Sequence, residues 1–156
     1  MKILSLGWGV QSFTLAAMSA LGELEPIDAA IHSDTGYESQ LTYEFAKRWT
    51  GWLEDHGVKV VTVHGTNGTL DELFYTTKSG NKFLRIPSFI KNQDGTSSIR
   101  PRQCTTNWKI VPMRRWEQKN RNKQPIEQWI GISLDEVERM RLSDVKYITH
   151  RWPLIE

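Results

Sequence analysis

The chain has only one cysteine, Cys104, among its 156 residues. A single cysteine excludes an internal disulfide and any cysteine-only metal cage within one chain. There is no Cys-x-x-Cys pair, and the four histidines do not have the spacing of a metal motif such as His-Glu-x-x-His. The sequence therefore predicts no metal site built from this chain's own residues.

Long apolar runs are also missing. No stretch approaches the roughly 20 apolar residues that cross a bilayer, and Gly7 and Gly9 interrupt the start of the chain, so it lacks the layout of a signal peptide. These absences predict a cytoplasmic protein without a membrane partner. Apolar residues make up 38% of the chain, with seven tryptophans, which favours a globular fold with a substantial core.

The net charge is only +2, but it is unevenly distributed. Residues 1–75 contain four Lys/Arg and ten Asp/Glu, whereas residues 100–123 contain eight Lys/Arg and one Glu. The basic segment could be an ordinary solvated helix face. Because it surrounds Cys104 and is interrupted by Trp108 and Trp116, we favour an anion-binding wall for a nucleotide phosphate, a sulfate or a nucleic-acid backbone.

Hydrophobic periodicity predicts an α/β protein. Short β-branched or apolar runs alternate with amphipathic stretches, as in βαβ units with a parallel sheet. The predicted strands are 2–6, 29–32, 58–63 and 126–130, and the predicted helices are 11–21, 40–56, 105–110 and 112–120. In the second helix a core stripe is expected, formed by Leu41, Phe45, Trp49, Trp52 and Leu53.

Other signals concern helix starts and a loop. Capping boxes at 69–72 and 133–136 predict two further helix starts. Residues 77–101 are rich in Gly, Asn, Ser and Lys, and Asp94-Gly95 is a turn signal, so we predict a loop or hairpin insertion. No second domain is evident, and residues 1–156 are interpreted as one domain.

The segment most suggestive of function runs from Ser5 to Ser12 and reads Ser-Leu-Gly-Trp-Gly-Val-Gln-Ser. It follows a predicted strand and opens a predicted helix. Helix N-termini hold phosphate well, and Gly7 and Gly9 let the backbone approach an anion closely. The alternative is an ordinary strand–turn–helix connection with two turn glycines.

This segment resembles the PP-loop of the adenine-nucleotide alpha-hydrolase superfamily, in the variant of the phosphoadenylyl-sulfate (PAPS) reductase family. The resemblance implies a Rossmann-like (HUP) parallel sheet with flanking helices and a single PP-loop nucleotide-binding domain. It also implies nucleotide contacts from the PP-loop residues. Trp8 would stack on the base or shield the phosphates, and the phosphate would be held by Ser5, Gly7, Gly9, Gln11 and Ser12.

Three further segments resemble the same family in the same order. The first is His32-Ser33-Asp34-Thr35, which in the family lies beside the adenosine. Asp34 to Gly36 could instead be a simple βα turn with a helix-capping function. The second contains Arg102, Cys104 and Lys109, and the third contains Gly131 and Arg139. The resemblance implies nucleotide contacts from Arg102 and Gly131, and catalytic roles for Cys104, Lys109 and Arg139.

Departures from the family narrow the expected activity. The Glu-Cys-Gly motif of the sulfonucleotide reductases is missing, and an iron–sulfur cluster would need cysteines from outside this chain. We expect an enzyme that uses ATP or PAPS for nucleotidyl or sulfur-group transfer, as in phage and bacterial members that modify nucleic acids. Mg²⁺ is compatible with such a site. The alternative is a non-catalytic module that binds a nucleotide or a nucleic acid. The chain could also be the core of a longer protein, form a homodimer or need a partner protein.

Several residues allow two interpretations. Gln11 is a neutral hydrogen-bonding group for the nucleotide or a helix cap. Trp8 stacks on the ligand or anchors the loop in the core. His32 is a satisfied structural histidine more often than a base, and Cys104 is either an activated thiolate or an inert cysteine.

Overall fold

The computed structural model describes residues 1–65, 74–76, 79–80, 82–84, 89–99 and 105–156. The strands are β1 (Lys2–Ser5), β2 (Ala29–Asp34), β3 (Val60–His64), β4 (Phe74–Thr76), β5 (Lys82–Leu84), β6 (Phe89–Lys91), β7 (Ser97–Ile99), β8 (Ile126–Trp129) and β9 (Ile148–Arg151). The helices are α1 (Val10–Ala20), α2 (Gln40–Asp55) and α3 (Val111–Asn120), with a π-helix at Thr105–Ile110 and a 3-10 helix at Leu134–Arg139.

Five strands form one parallel sheet in the order β3-β2-β1-β8-β9. The central strand β1 pairs on one side with β2, where Leu4 lies opposite Ala30, and on the other with β8, where Leu4 lies opposite Trp129. The predicted α/β class with a parallel sheet and flanking helices is confirmed. Since the chain builds outward from β1 to β3 and then returns to the other side of β1, the strand order reverses between β1 and β8.

Each face of the sheet has its own apolar core. Leu4, Leu6 and Trp129 lie in a cluster with residues of α1 and α2. Ile3 and Ile126 lie in a second cluster with α3 residues. Side chains of a strand alternate between the two faces, so the odd-numbered positions of β1, including Ser5, point to the α3 side.

The helix predictions are confirmed except at one stripe position. Gly22 and Gly57 follow α1 and α2 with φ angles of 77° and 83°, a left-handed conformation that suits a glycine beyond a helix end. Leu53 is fully buried on α2 as predicted, but Leu41 is 76% exposed. The prediction that Leu41 belongs to the core is therefore wrong. Leu41 lies in the first turn of α2, and only later turns of this helix pack against the apolar cluster.

Residues 89–99 form the hairpin β6–β7, and β4 pairs with β5 in a second antiparallel ribbon. The predicted turn lies at Asp94-Gly95, where Gly95 has a φ of 84° and the Thr96 N–H donates to Asp94 Oδ1 at 2.9 Å. A hairpin in this part of the predicted insertion is confirmed. The capping box at 69–72 lies outside the described residues.

The C-terminal part differs from expectation in two ways. Strand β9 was not predicted, and a turn follows it at residues 153–154. The second capping box is also incomplete. A 3-10 helix begins after Ser133 as predicted, but Ser133 makes no side-chain cap and its Oγ donates to Asp135 Oδ1 instead.

In the part of the chain that the structure describes, no helix combines the length and the apolar character needed to cross a membrane.

An ion-pair network joins the start of β1 to the end of β9. Glu25 accepts a hydrogen bond from Lys2 Nζ at 3.1 Å and pairs with Arg151, whose Nε also donates to Glu156 at 2.8 Å. The Lys2 hydrogen bond, a backbone hydrogen bond and Arg151 lower the pKa of Glu25 to about 2, against an ordinary value of 4.5. Between these two pH values the unfolded chain binds a proton that the folded chain does not.

We therefore expect stability to fall as the pH drops from 4.5 towards 2. Replacing Glu25 with Gln removes this carboxylate, so the free energy of unfolding should vary less steeply with pH across that interval. Urea titrations at several pH values measure the slope. Glu23→Gln, at an exposed glutamate two residues earlier, is the control and should keep the wild-type slope. An unchanged slope in Glu25→Gln would contradict the role of the network.

Candidate functional site

The turn between β1 and α1 lies at the carboxyl edge of the sheet. Gly7 N–H donates to Ser12 Oγ at 3.1 Å, and the same Oγ donates to the Gly9 carbonyl at 3.2 Å. The Gly9 carbonyl also accepts the first intrahelical bond, from Phe13 N–H at 3.0 Å. The N–H groups before Phe13 in the first turn have no carbonyl acceptor within the helix, as at any helix start. Ser12 thus fixes the turn from inside, while Gly9 and Val10 are exposed on its outer side.

Trp8 shapes this turn through its backbone and its ring. Its φ is 57°, a left-handed conformation that costs a bulky residue roughly 1–3 kcal/mol. The ring is only 7% exposed and contacts Phe13, His32 and Phe45. The core-anchor interpretation of Trp8 fits this burial, because packing of the indole holds the strained backbone in place.

Gln11 connects α1 to the segment that follows β8. Its Nε2 donates to Ser133 Oγ at 2.9 Å and to Glu136 Oε2 at 2.7 Å. Glu136 in turn pairs with Arg139. The side chain does not cap its own helix, and both of its N–H groups are directed to the loop. Arg139 is thereby linked to the start of α1 through Glu136 and Gln11.

Gly131 lies directly against the first turn of α1. A Cβ atom at this position would be 2.7 Å from Ser12 N and 2.9 Å from the Gln11 carbonyl carbon. Its φ is not in the left-handed region, so close approach rather than backbone conformation requires glycine here. The contact seats the end of β8 on the turn, next to the Gln11 hydrogen bonds.

The end of β2 supplies a second wall of the site. His32 is 7% exposed, and its Nδ1 lies 3.1 Å from the Leu6 carbonyl. Burial lowers the pKa of the His32 imidazole, partly offset by that hydrogen bond. These contacts fit the satisfied structural histidine. Ser33 Oγ donates to the Trp108 carbonyl at 2.5 Å, which ties β2 to the π-helix.

Asp34 and Thr35 mainly build the turn after β2. Asp34 Oδ1 accepts from Gly36 N–H at 2.8 Å and from the Tyr43 hydroxyl at 2.9 Å. Thr35 Oγ1 donates to Glu38 Oε1 at 3.0 Å. These contacts fit the alternative of a simple βα turn. A ligand at this edge would meet Asp34 and Thr35 side chains that already have hydrogen-bond partners.

The π-helix brings Lys109 to the site. A π-helix is rare and often occurs at functional positions. Lys109 Nζ lies 3.3 Å from Glu38 Oε1, and half of its side chain is exposed. It borders a cavity of about 60 Å³ together with Ser5, Gly7, His32 and Ser33. Ser5 faces the α3 side, where its Oγ lies 3.8 Å from Met113 Sδ. Cys104 and Arg102 lie outside the described residues.

A larger cleft of about 330 Å³ opens from Ser5 and Lys109 along α3. It contains two polar residues that the sequence analysis did not identify, Glu117 and Gln128. Glu117 is fully buried and Gln128 is 7% exposed. Burial raises the pKa of the Glu117 carboxyl, and Arg114, whose Nη1 lies 3.1 Å from Glu117 Oε2, opposes this rise. Glu117 lies four residues after the buried Met113, a spacing that could have placed it on the inner face of α3.

The predicted basic wall is thus partly committed to internal pairs. Arg114 pairs with Glu117, and Arg121 lies over the Tyr147 ring with its Cζ 4.0 Å from the ring centre. Arg115 and Lys119 are exposed on the outer side of α3. Residues 100–104, the start of the basic segment, are not among those described.

The donor set does not resemble a metal centre. Within the described residues no three His, Cys, Asp or Glu side chains are grouped to hold an ion. An iron–sulfur cluster does not fit the chain's own residues, since it has one cysteine.

Comparisons of the chain with protein-family models and with curated proteins found no match.

Proposed function

We propose that the chain is a PP-loop enzyme that resembles the PAPS reductases and binds an adenine nucleotide, ATP or PAPS, against the turn from Gly7 to Ser12. In this proposal the sheet is of the Rossmann-like HUP type. The reaction is nucleotidyl or sulfur-group transfer, with a nucleic acid as the acceptor.

The observation that carries the proposal is the conformation and position of the turn. It follows the central strand β1 at the point where the strand order reverses, between β1 and β8. Ligands of open parallel sheets bind at the carboxyl ends of the strands at such a switch point. A buried tryptophan held at a φ of 57° is the kind of strained residue that is found at binding sites.

The chemistry of the turn suits a phosphate. The first-turn N–H groups of α1 and the positive end of the helix dipole favour an anion. Nothing lies within 4 Å of a Cβ built on Gly9, so the space outside the turn is open. Lys109, whose side chain is half exposed, borders the adjoining cavity beside its partner Glu38. Its ammonium group can also neutralise phosphate or sulfate.

For Gln11 and Arg139 we propose roles that differ from those expected from the sequence. Gln11 donates to Ser133 and Glu136, so we assign it to holding the 133–136 loop beside the helix start rather than to the nucleotide. Arg139 pairs with Glu136 and offsets the charge of a carboxylate that would otherwise repel a phosphate. In the proposal, backbone groups and Lys109 contact the ligand, and Ser12, Gln11 and Gly131 position the turn.

Replacing Gly9 with Val tests the phosphate site. The new side chain would project into open space, so the protein should fold, at a cost of about 1 kcal/mol for the poorer helix cap. The β-branched side chain would block approach of a phosphate to the N–H groups. We expect the affinity for ATP and for PAPS, measured by calorimetry, to fall roughly tenfold or more.

Gly51→Val is the matched control. Gly51 lies in α2, and nothing is within 4 Å of its built Cβ. The affinity of the Gly51→Val protein for ATP and PAPS should therefore equal that of the wild type. Wild-type affinity in a folded Gly9→Val protein would contradict the phosphate site. Binding without any turnover of ATP or PAPS would instead favour a non-catalytic nucleotide-binding module.

A further inference from the structure

The cleft beside α3 is lined by side chains, whereas the turn from Gly7 to Ser12, here called the phosphate turn, offers mainly backbone N–H groups. It lies on the α3 face of the sheet between α3, β8 and β9, and it is bordered at one end by Ser5 and Lys109. Ile110, Met113 and Ile130 form apolar walls. Its volume of about 330 Å³ is at the lower end of small-molecule pockets, which range from about 300 to 1,000 Å³.

Two buried side-chain oxygen atoms, one on each of two residues that line this cleft, have no hydrogen-bond partner in the described structure. They are Glu117 Oε1 and Gln128 Oε1. The other carboxylate oxygen of Glu117 accepts from Arg114 Nη1 at 3.1 Å. Buried polar atoms are almost always paired, because an unpaired one loses its hydrogen bonds to water without replacement. Two unpaired acceptors in one cleft indicate a ligand that brings donors.

Gln128 is not explained by packing. In β8 the alternation places Gln128 on the same face as Ile126, within an apolar layer that includes Ile3, Ile31 and Ile148. An apolar residue at this position would complete the layer at no desolvation cost. Packing in this layer alone does not require an amide at this position.

The charges and walls of the cleft define the ligand class. Glu117 is an acceptor whose charge Arg114 already balances, so a neutral N–H donor suits the cleft better than an ammonium group. The apolar walls formed by Ile110, Met113 and Ile130 can accommodate a ring. We infer that this cleft binds a nucleobase with an exocyclic amino group, whose N–H donors meet Glu117 Oε1 and Gln128 Oε1. The inference does not depend on the phosphate turn, because the base alone makes these contacts.

Paired ligands test the inference on the full chain. Adenosine is compared with purine riboside, which lacks the amino group, and cytidine is compared with uridine, in which a carbonyl replaces it. In at least one pair, the nucleoside with the amino group should bind on the order of tenfold more tightly than its partner, as measured by calorimetry. A single-stranded oligonucleotide of an amino-bearing base, oligoadenylate or oligocytidylate, is a further arm. If it binds and the free nucleosides do not, the base is recognised within a nucleic-acid chain.

The Gln128→Leu variant gives a signature that a purely structural residue would not. Removing a buried unpaired acceptor should raise the melting temperature, while the affinity for the amino-bearing ligand falls on the order of tenfold. Gln124→Leu, at an exposed glutamine in the loop before β8, should leave the affinity unchanged. Equal binding within both ligand pairs, no binding of nucleosides or oligonucleotide, or unchanged affinity in Gln128→Leu would each overturn the inference. The nucleosides carry no phosphate, so these results are independent of the Gly9→Val result.

Discussion

A Trp129→Ala protein is expected to lose about 3–5 kcal/mol of unfolding free energy, the usual cost of removing a fully buried tryptophan. Trp129 is 0% exposed and lies in the cluster between the sheet and α1 and α2. Its strand pairs on both sides, with Leu4 and Arg151 opposite it, so the surroundings cannot easily close the cavity. Its Nε1 also donates to Glu127 Oε1 at 2.7 Å. Urea unfolding followed by circular dichroism measures the loss.

Trp49→Ala is the matched control for this variant. Trp49 is half-buried on α2 and packs against the edge of the same cluster, where water can fill the space that the ring leaves. We expect a clearly smaller loss of stability. A loss below about 1 kcal/mol for Trp129→Ala, the average for any point mutation, would contradict its central place in the core.

The parts of the fold that could be predicted are those with a strong local pattern. Helix α2 has an apolar stripe at helical spacing and a glycine after its end, and β1 to β3 are short apolar runs separated by turns. Strand β9 was missed because, of Ile148 to Arg151, only Ile148 is buried. An edge strand with one buried residue has little hydrophobic signal, and its existence depends on pairing with β8.

The position of the turn at the site could be predicted from the sequence, but the hydrogen-bond partners of its side chains could not. Glycines between a strand and a helix indicated the turn at Gly7 to Ser12. The partners of Gln11, Ser133 and Glu136, are 122 and 125 residues away in the chain. Sequence patterns report local spacing and cannot show such tertiary contacts. The same contacts explain the incomplete capping box, since Glu136 is engaged with Gln11 and Arg139 and does not fold back on its helix start.

A Gly131→Ala protein is expected to lose about 1–3 kcal/mol of stability although only one methyl group is added, because overpacking forces the backbone to move. The methyl group would be 2.7 Å from Ser12 N and 2.9 Å from the Gln11 carbonyl carbon. Both are backbone atoms of the first turn of α1 and cannot move aside as a flexible side chain would. The turn should shift, so the affinity for ATP or PAPS should fall together with stability.

Gly51→Ala separates this steric effect from the general effect of replacing a glycine. Gly51 lies inside α2 with open space around its Cβ position, so alanine there should raise stability by roughly 0.5–1 kcal/mol. The same substitution thus has opposite signs at the two positions. Chemical denaturation gives both values, and calorimetry at a temperature where Gly131→Ala is folded gives the nucleotide affinity. If Gly131→Ala is as stable as the wild type, the segment after β8 does not pack tightly against the helix start. If the variant is destabilised but binds nucleotide normally, the phosphates do not contact this turn.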